Sequence, residues 1–298
     1  MSKGANLLKS SKLIANTVLL FVTFIWGATF TLTKAALTVM PVFPYLAIRF
    51  LLATVAMSLF FVFSPRHRNS LKNGLLWLIG MVLGTLLFLG YALQTLGLQT
   101  IAPAVSAFLT GLSVIIVPIM AIYFLHQKSR ARTWIAAIIA AIGLGLLNSV
   151  GHFGHFSEGT LYTLACAVFW ALQIIAVDKW ASGYDSVALT AIELLMVTFL
   201  SFILSFFSPP GGFHNWLSPI IILAVVVNGL LGTALAYWAQ LHFQRQTSAS
   251  YVAVIFTMEP VFAAVIAFVA YHETLTIPTL AGGLLIVSSM MIADAAGR

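Results

Sequence analysis

Residues 13–33, LIANTVLLFVTFIWGATFTLT, run for 21 residues without a charged side chain. About 20 apolar residues, at 1.5 Å each, cross a hydrocarbon core some 30 Å thick, so one helix of this length spans a membrane. Lys3, Lys9 and Lys12 precede the run and imitate a secretory leader. The run is too long for a leader's apolar region, however, and no small-residue cleavage site follows it. It reads as a first transmembrane helix.

Outward from it, breaks in hydrophobicity mark nine further runs, near residues 44–64, 74–97, 102–125, 132–149, 159–180, 186–207, 217–242, 247–271 and 276–295. The breaks hold Pro41 and Pro44, Pro65, Pro103, the Gly151–Gly159 segment, Pro209-Pro210-Gly211-Gly212 and Pro278. The runs are too long for strands and do not alternate, and backbone in lipid must satisfy its own hydrogen bonds. The composition agrees: 61% of the 298 residues are apolar and 7% are charged, against about 25% charged in soluble domains. Mean hydropathy is +1.05. The expected fold is an all-α integral membrane protein of ten transmembrane helices.

A pI near 9.7 could suggest nucleic acid, but the basic residues lie in short breaks rather than on one face. With the N-terminus placed in the cytoplasm, the inner segments hold Lys3, Lys9, Lys12, Arg66, Arg68, Lys72, Lys128, Arg130, Arg132, Lys179, Arg245 and Arg298, which is 12 of 14. Lys34 and Arg49 are the exceptions. This asymmetry places both termini inside. The single Cys166 rules out a disulfide framework and reads as a small packing residue. No Gly-rich phosphate loop occurs, and no cofactor is expected.

The two halves echo each other. Phe24-Ile25-Trp26-Gly27 matches Val168-Phe169-Trp170-Ala171, with Trp170 against Trp26 giving an offset of 144. Tyr91-Ala92-Leu93-Gln94 matches Tyr237-Trp238-Ala239-Gln240 at an offset of 146, and Val117-Pro118 matches Glu259-Pro260 at 142. Each half holds five spans, an odd number, so the second must be inverted relative to the first. Residues 1–150 and 151–298 are therefore expected as two inverted five-helix repeats, a plan of secondary transporters with the site near the midplane.

On Trp26-Gly27, Arg49-Phe50, Tyr91-Ala92-Leu93-Gln94, Ala107-Phe108-Leu109-Thr110 and Val117-Pro118, the chain resembles the drug/metabolite transporter superfamily. It is most similar to the ten-helix EamA-type members with two EamA repeats. The second half adds Phe256-Thr257-Met258-Glu259-Pro260-Val261-Phe262, His272-Glu273-Thr274-Leu275 and Gly282-Gly283. The resemblance implies a bacterial inner-membrane carrier without an ATP-binding domain, exporting or exchanging amino acids, other metabolites or drugs, with some members importing sugars. Two departures from the family pattern, Gln127-Lys128 after the fourth run and Glu193 in the seventh, leave the coupling ion open.

Charge within hydrocarbon is costly and usually marks a path or a partner. Glu259 lies midway along the ninth run, before Pro260, which removes a helical N–H and disfavours helix at Glu259. It reads either as a protonatable or substrate-facing carboxyl, or as a group satisfying backbone at a hinge. Arg49 and its counterpart Glu193 lie at symmetry-related depths, which argues against a direct pair. Each closes a gate or reaches its own surface; for Arg49 the plainer reading is a headgroup anchor. Asp178 and Lys179 read as a solvated interface.

Trp26 and Trp170 sit deeper than belt tryptophans should, while Gln94, Gln173 and Asn228 can hydrogen-bond a solute and Tyr237 offers a ring and a hydroxyl. The alternative for these groups is helix–helix bonding, worth about 0.6 kcal/mol each. The candidate substrate-binding set is Trp26, Gln94, Trp170, Gln173, Asn228, Tyr237 and Glu259; the coupling or gating set is Glu259, Glu193, Arg49, Pro118 and Pro260. Gly80 and Gly84 give a GxxxG packing face. His152 and His155 make too few ligands for a metal and read as a solvated loop.

The expected function is a secondary transporter, not an enzyme, moving a small metabolite or drug-like solute outward by alternating access, with kinks at Pro118 and Pro260. The scarcity of charge in the pocket set favours neutral, zwitterionic or weakly cationic amphiphiles. A membrane enzyme would need a clustered Ser/His, paired Asp or metal set, and a channel would show flux without saturation. Small solute and membrane lipid are the expected partners, with no nucleic acid, as monomer or homodimer.

Overall fold

A computed structural model describes residues 2–126, 130–147, 157–208, 212–271 and 276–296. Gln127-Lys128, His152 and His155, Pro209-Pro210-Gly211, His272 to Leu275 and the expected boundary at 150/151 lie outside the described residues.

The described chain is helical throughout. Eight helices are long and apolar enough to cross a membrane, and two shorter apolar helices accompany them. The helices are α1 (Ser2–Leu37), α2 (Val42–Phe63), α3 (Pro65–Ser70), α4 (Gly74–Thr100), α5 (Pro103–Gly111), α6 (Ser113–Leu125) and α7 (Ala131–Leu147). The second half holds α8 (Glu158–Trp180), α9 (Ser186–Ser205), α10 (Pro219–Val226), a π segment (Val227–Leu235), α11 (Ala236–Phe243), α12 (Ala249–Phe256), α13 (Met258–Tyr271) and α14 (Ile277–Ala296).

Residue chemistry fixes where they start. Asn73 accepts hydrogen bonds from the amides of Leu75 and Leu76 at 3.0 and 3.4 Å, and Asp185 accepts from that of Ala188 at 3.0 Å. Ser157, Ser218 and Ser248 cap α8, α10 and α12 in the same way. Pro65, Pro103 and Pro219 sit in first turns, where a missing N–H costs nothing. At the far end of α4 the ammonium of Lys34 donates to the carbonyls of Leu98, Gln99 and Ile101. A cation on the last carbonyls of a helix is favourable, which explains one of the two basic residues outside the expected pattern.

The packing has a pattern. α4 lies on α8 and α9, α2 on α9, α1 on α13, α6 on α8, and α7 on α14. Exchanging each element for its counterpart about 144 residues away maps these contacts onto one another. α4 on α8 becomes the α10–π–α11 run on α1, α1 on α13 becomes α8 on α6, and α2 on α9 and α7 on α14 map onto themselves. Two side chains also meet their own counterparts: Thr54 and Thr198 hydroxyls are 3.0 Å apart, and those of Tyr91 and Tyr237 are 3.2 Å apart.

Small residues permit the closest approaches. A Cβ on Gly84 would stand 2.5 Å from the Glu193 carbonyl oxygen, and one on Gly229 would stand 3.0 Å from the Arg49 carbonyl oxygen. A Cβ on Gly80 would stand 2.6 Å from Ile192 Cγ2. The GxxxG face is thus the α4–α9 seam. Cys166 is fully buried. Large apolar side chains such as Phe63, Phe199 and Ile138 lie exposed along the outer faces, as a lipid-solvated surface requires.

Candidate functional site

Three irregularities in the helices shape the centre of the bundle. The fourth run breaks at Leu112, between α5 and α6, and the ninth at Thr257, between α12 and α13. Pro118 lies inside α6, six residues beyond the Leu112 break, and Pro260 falls in the first turn of α13, three residues beyond Thr257, where its missing N–H can return no bond to the Phe256 carbonyl. The breaks are repeat-related, 257 against 112, and come earlier than either proline.

The third irregularity is the π segment, a form of helix often found at functional sites. Thr233 Oγ1 donates to the Asn228 carbonyl at 2.7 Å. The Gly232 carbonyl accepts from Trp26 Nε1 at 2.9 Å. Asn228 Nδ2 donates to Tyr45 at 2.8 Å and to Thr33 Oγ1 at 3.0 Å. The widened turns are therefore held by side chains from α1 and α2.

Between these elements lies a central cavity, of which about 60 Å³ is open to the centre of a water-sized sphere. A water needs roughly 10–15 Å³ on this measure, so the space holds a few waters, and a larger solute requires the walls to part. Its sides are aromatic. Trp26 packs on Tyr237 and Phe256 at centroid distances of 5.5 and 5.0 Å, and Trp170 packs on Tyr91 at 5.1 Å and stacks on Tyr237 at 6.4 Å.

Arg49 reaches this cavity from α2. Its side chain is buried, so it is no headgroup anchor as its place in the sequence suggests: the bundle supplies polar and π partners at that depth. Nε donates to Thr233 Oγ1 at 3.0 Å and Nη2 to the Tyr91 hydroxyl at 3.1 Å. The guanidinium carbon stands 4.6 Å from the Tyr91 ring centroid and 5.5 Å from that of Phe50. Among the described residues no carboxylate lies within 4.0 Å of it. Hydroxyls and rings stabilise the cation but do not neutralise it.

Glu259 lines the same cavity from the first turn of α13, where the helix N-terminus favours an anion. Among the described residues it too has no ion-pair partner. Glu193 lies elsewhere: it is fully buried behind the wall. Gln173 Nε2 donates to its Oε1 at 3.1 Å, while Oε2 has no partner among the described residues. Gln240 Nε2 donates to Gln173 Oε1 at 2.9 Å and to Gln244 Oε1 at 3.0 Å, and Gln244 Nε2 to the Ile174 carbonyl at 2.7 Å. A ladder of amides thus links Glu193 to the cavity wall.

Of the residues singled out from sequence, Trp26, Gln94, Trp170, Gln173, Tyr237, Glu259 and Arg49 come together around the cavity. Asn228, Glu193, Pro118 and Pro260 do not line it; Asn228 Nδ2 holds α1, α2 and the π segment together, while its Oδ1 has no partner among the described residues. Tyr91 and Gln240 line it as well; neither is in the candidate set, although the repeat that pairs Tyr91 with Tyr237 and Gln94 with Gln240 marks them. Among the described residues no three His, Cys, Asp or Glu side chains cluster as a metal site.

The Tyr91–Tyr237 contact allows a direct test. The single changes Tyr91→Phe and Tyr237→Phe and their combination form a double-mutant cycle, with expected coupling of about 0.5–1.5 kcal/mol in thermal stability. Strict additivity would show that the two hydroxyls do not meet.

A sequence model described as the EamA-like transporter family matches residues 13–149 and again 157–293. The chain is 28% identical over 280 residues to a Bacillus subtilis (strain 168) protein named "Uncharacterized transporter YvbV", covering 93% of this chain and 90% of that one. It is also 28% identical over 284 residues to an Archaeoglobus fulgidus protein named "Uncharacterized transporter", covering 94% and 86%. A solved crystal structure shares the fold with a TM-score of 0.79 at 20% identity, over 95% of this chain and 97% of that one.

Proposed function

The chain belongs to the EamA-like transporter family, and on that premise we propose that it is a secondary carrier of a small zwitterionic amphiphile such as an amino acid. One observation carries the choice of solute: a single cavity holds a cation, Arg49, and an anion, Glu259, each without a charged partner among the described residues. A solute bearing both charges compensates both. A carboxylate suits the Arg49 fork and an ammonium suits Glu259 and the faces of Trp26, Trp170 and Tyr237. A polyanion would meet Glu259, and a simple cation would meet Arg49.

The proposed transport is efflux across the bacterial inner membrane by alternating access, with ten spans in two inverted repeats and both termini in the cytoplasm. The exchange symmetry of the packing and the paired counterparts Thr54–Thr198 and Tyr91–Tyr237 support the repeat. The breaks at Leu112 and Thr257 supply places where it can flex. The proposed coupling is a proton carried at Glu259 or Glu193, or solute exchange.

Proteoliposomes loaded with labelled amino acids test this reading. Glu259→Gln is expected to cut flux driven by a pH gradient about 30-fold, equivalent to about 2 kcal/mol. Unchanged flux and unchanged gradient dependence would remove Glu259 from the mechanism. Non-saturating flux in the parent protein would indicate a channel.

A further inference from the structure

A second cavity, about 560 Å³ by the same measure, opens away from the centre beside the ends of α2 and α11 and the start of α9. It exists because α2 packs along α9 and meets the second half's irregular run through α10 and the π segment, leaving a cleft beside α11. One wall is apolar, with Met57, Phe60, Leu230 and Leu235. Phe60 and Leu235 are 51% and 40% exposed, so the cleft opens sideways onto the lipid-facing surface. The other wall holds Arg66, His67, Asp185, His242 and Arg245.

The charges on that wall do not balance. Asp185 is already committed: it caps α9, accepts from His67 Nδ1 at 2.9 Å, and has Arg66 Nε at 4.0 Å. Arg245 is bound only through carbonyl oxygens, from Nη1 to Tyr184 at 3.0 Å and from Nε to His242 at 3.3 Å. Among the described residues no carboxylate lies within 4.0 Å of it. Two guanidinium groups thus face one carboxylate. His242 adds a ring stacked on Trp238, 5.6 Å between centroids, and the depth is that of the basic segments following α2 and α11.

We infer that this cleft binds an anionic phospholipid, its phosphate on Arg66 and Arg245 and an acyl chain along Met57, Phe60, Leu230 and Leu235. Basic pockets between membrane helices suit such headgroups. A free phosphate has no use for the apolar wall, and a zwitterionic lipid gains little from the unbalanced guanidiniums. The site is separate from the central cavity and shares no lining residue with it.

Native mass spectrometry of the full chain, released from vesicles of equal phosphatidylglycerol and phosphatidylcholine, tests the inference. The parent protein is expected to retain one phosphatidylglycerol with at least tenfold preference. Arg66→Gln with Arg245→Gln should remove that preference, and Ala56→Trp, which fills the apolar side, should lower retention with the arginines intact. Arg68→Gln, outside the cleft, should change nothing. If the double variant does not fold, Arg66→Gln alone, on a side chain 87% exposed, should cost at least threefold. Equal retention of both lipids, or full retention without the two arginines, overturns the inference. So does displacement by glycerol phosphate with Ala56→Trp silent, which would assign the site to a free anion.

Discussion

Arg49→Gln is expected to slow amino-acid flux in proteoliposomes about a hundredfold, equivalent to about 2.8 kcal/mol, within the roughly 2–5 kcal/mol lost when one partner of a buried charge pair is removed. Gln retains polar atoms for Thr233 and Tyr91 and removes the charge, so the packing around Phe50 survives. Arg49→Lys should recover only part of the flux, because a point charge cannot reproduce the fork that engages Thr233 and Tyr91 together. Comparing an amino acid with its carboxamide is the sharper measurement. The parent protein should prefer the acid, and Arg49→Gln should erase that preference. Equal losses for acid and amide, with an unchanged melting temperature, would make Arg49 a general support of the wall rather than the group that reads the carboxylate.

The largest effect on stability is expected at Gly84. A methyl there would meet the Glu193 carbonyl oxygen at 2.5 Å and the Met196 Cβ at 2.6 Å, and neither backbone can yield without parting α4 from α9. Gly84→Val should cost about 3 kcal/mol or more, read as loss of a monodisperse peak and a sharp fall in melting temperature in detergent. Gly84→Ala should fall between it and the parent. Gly145→Ala is the control: nothing stands within 4 Å of the added carbon, and replacing a helical glycine gains about 0.5–1 kcal/mol. Near-normal stability of Gly84→Val would mean the α4–α9 seam is looser than drawn.

The helical class was readable because lipid enforces it. A run such as residues 13–33 has no other way to satisfy its backbone in hydrocarbon. The repeat was readable for a related reason, since Trp26 and Trp170, or Gln94 and Gln240, face the same cavity from opposite halves. Other features depend on partners distant in sequence. Arg49 looks like a headgroup anchor until Thr233, 184 residues away, is seen to accept a hydrogen bond from its Nε. Asn228 looks like a solute ligand until Tyr45 and Thr33 claim its amide. Proline marks the two breaks unequally: Pro260 lacks the N–H that would bond the Phe256 carbonyl, beside the break at Thr257, while Pro118 lies six residues beyond the break at Leu112. The π segment had a faint local signature, Asn228-Gly229 with Gly232-Thr233 inside an apolar run.

That segment has no equal in the first half. α4 runs unbroken from Gly74 to Thr100, while its counterpart widens over Val227–Leu235. Under the proposed alternating access, two unlike halves lack the symmetry that would make inward-open and outward-open states equal in free energy. A bias of about 1.4 kcal/mol would leave roughly one empty carrier in eleven on the less favoured side. Half-saturation measured from the two faces of the membrane would differ by about that tenfold ratio, since apparent affinity falls with the fraction of molecules able to bind. With no gradient imposed, the carrier would load more readily from one compartment while its net equilibrium stays neutral.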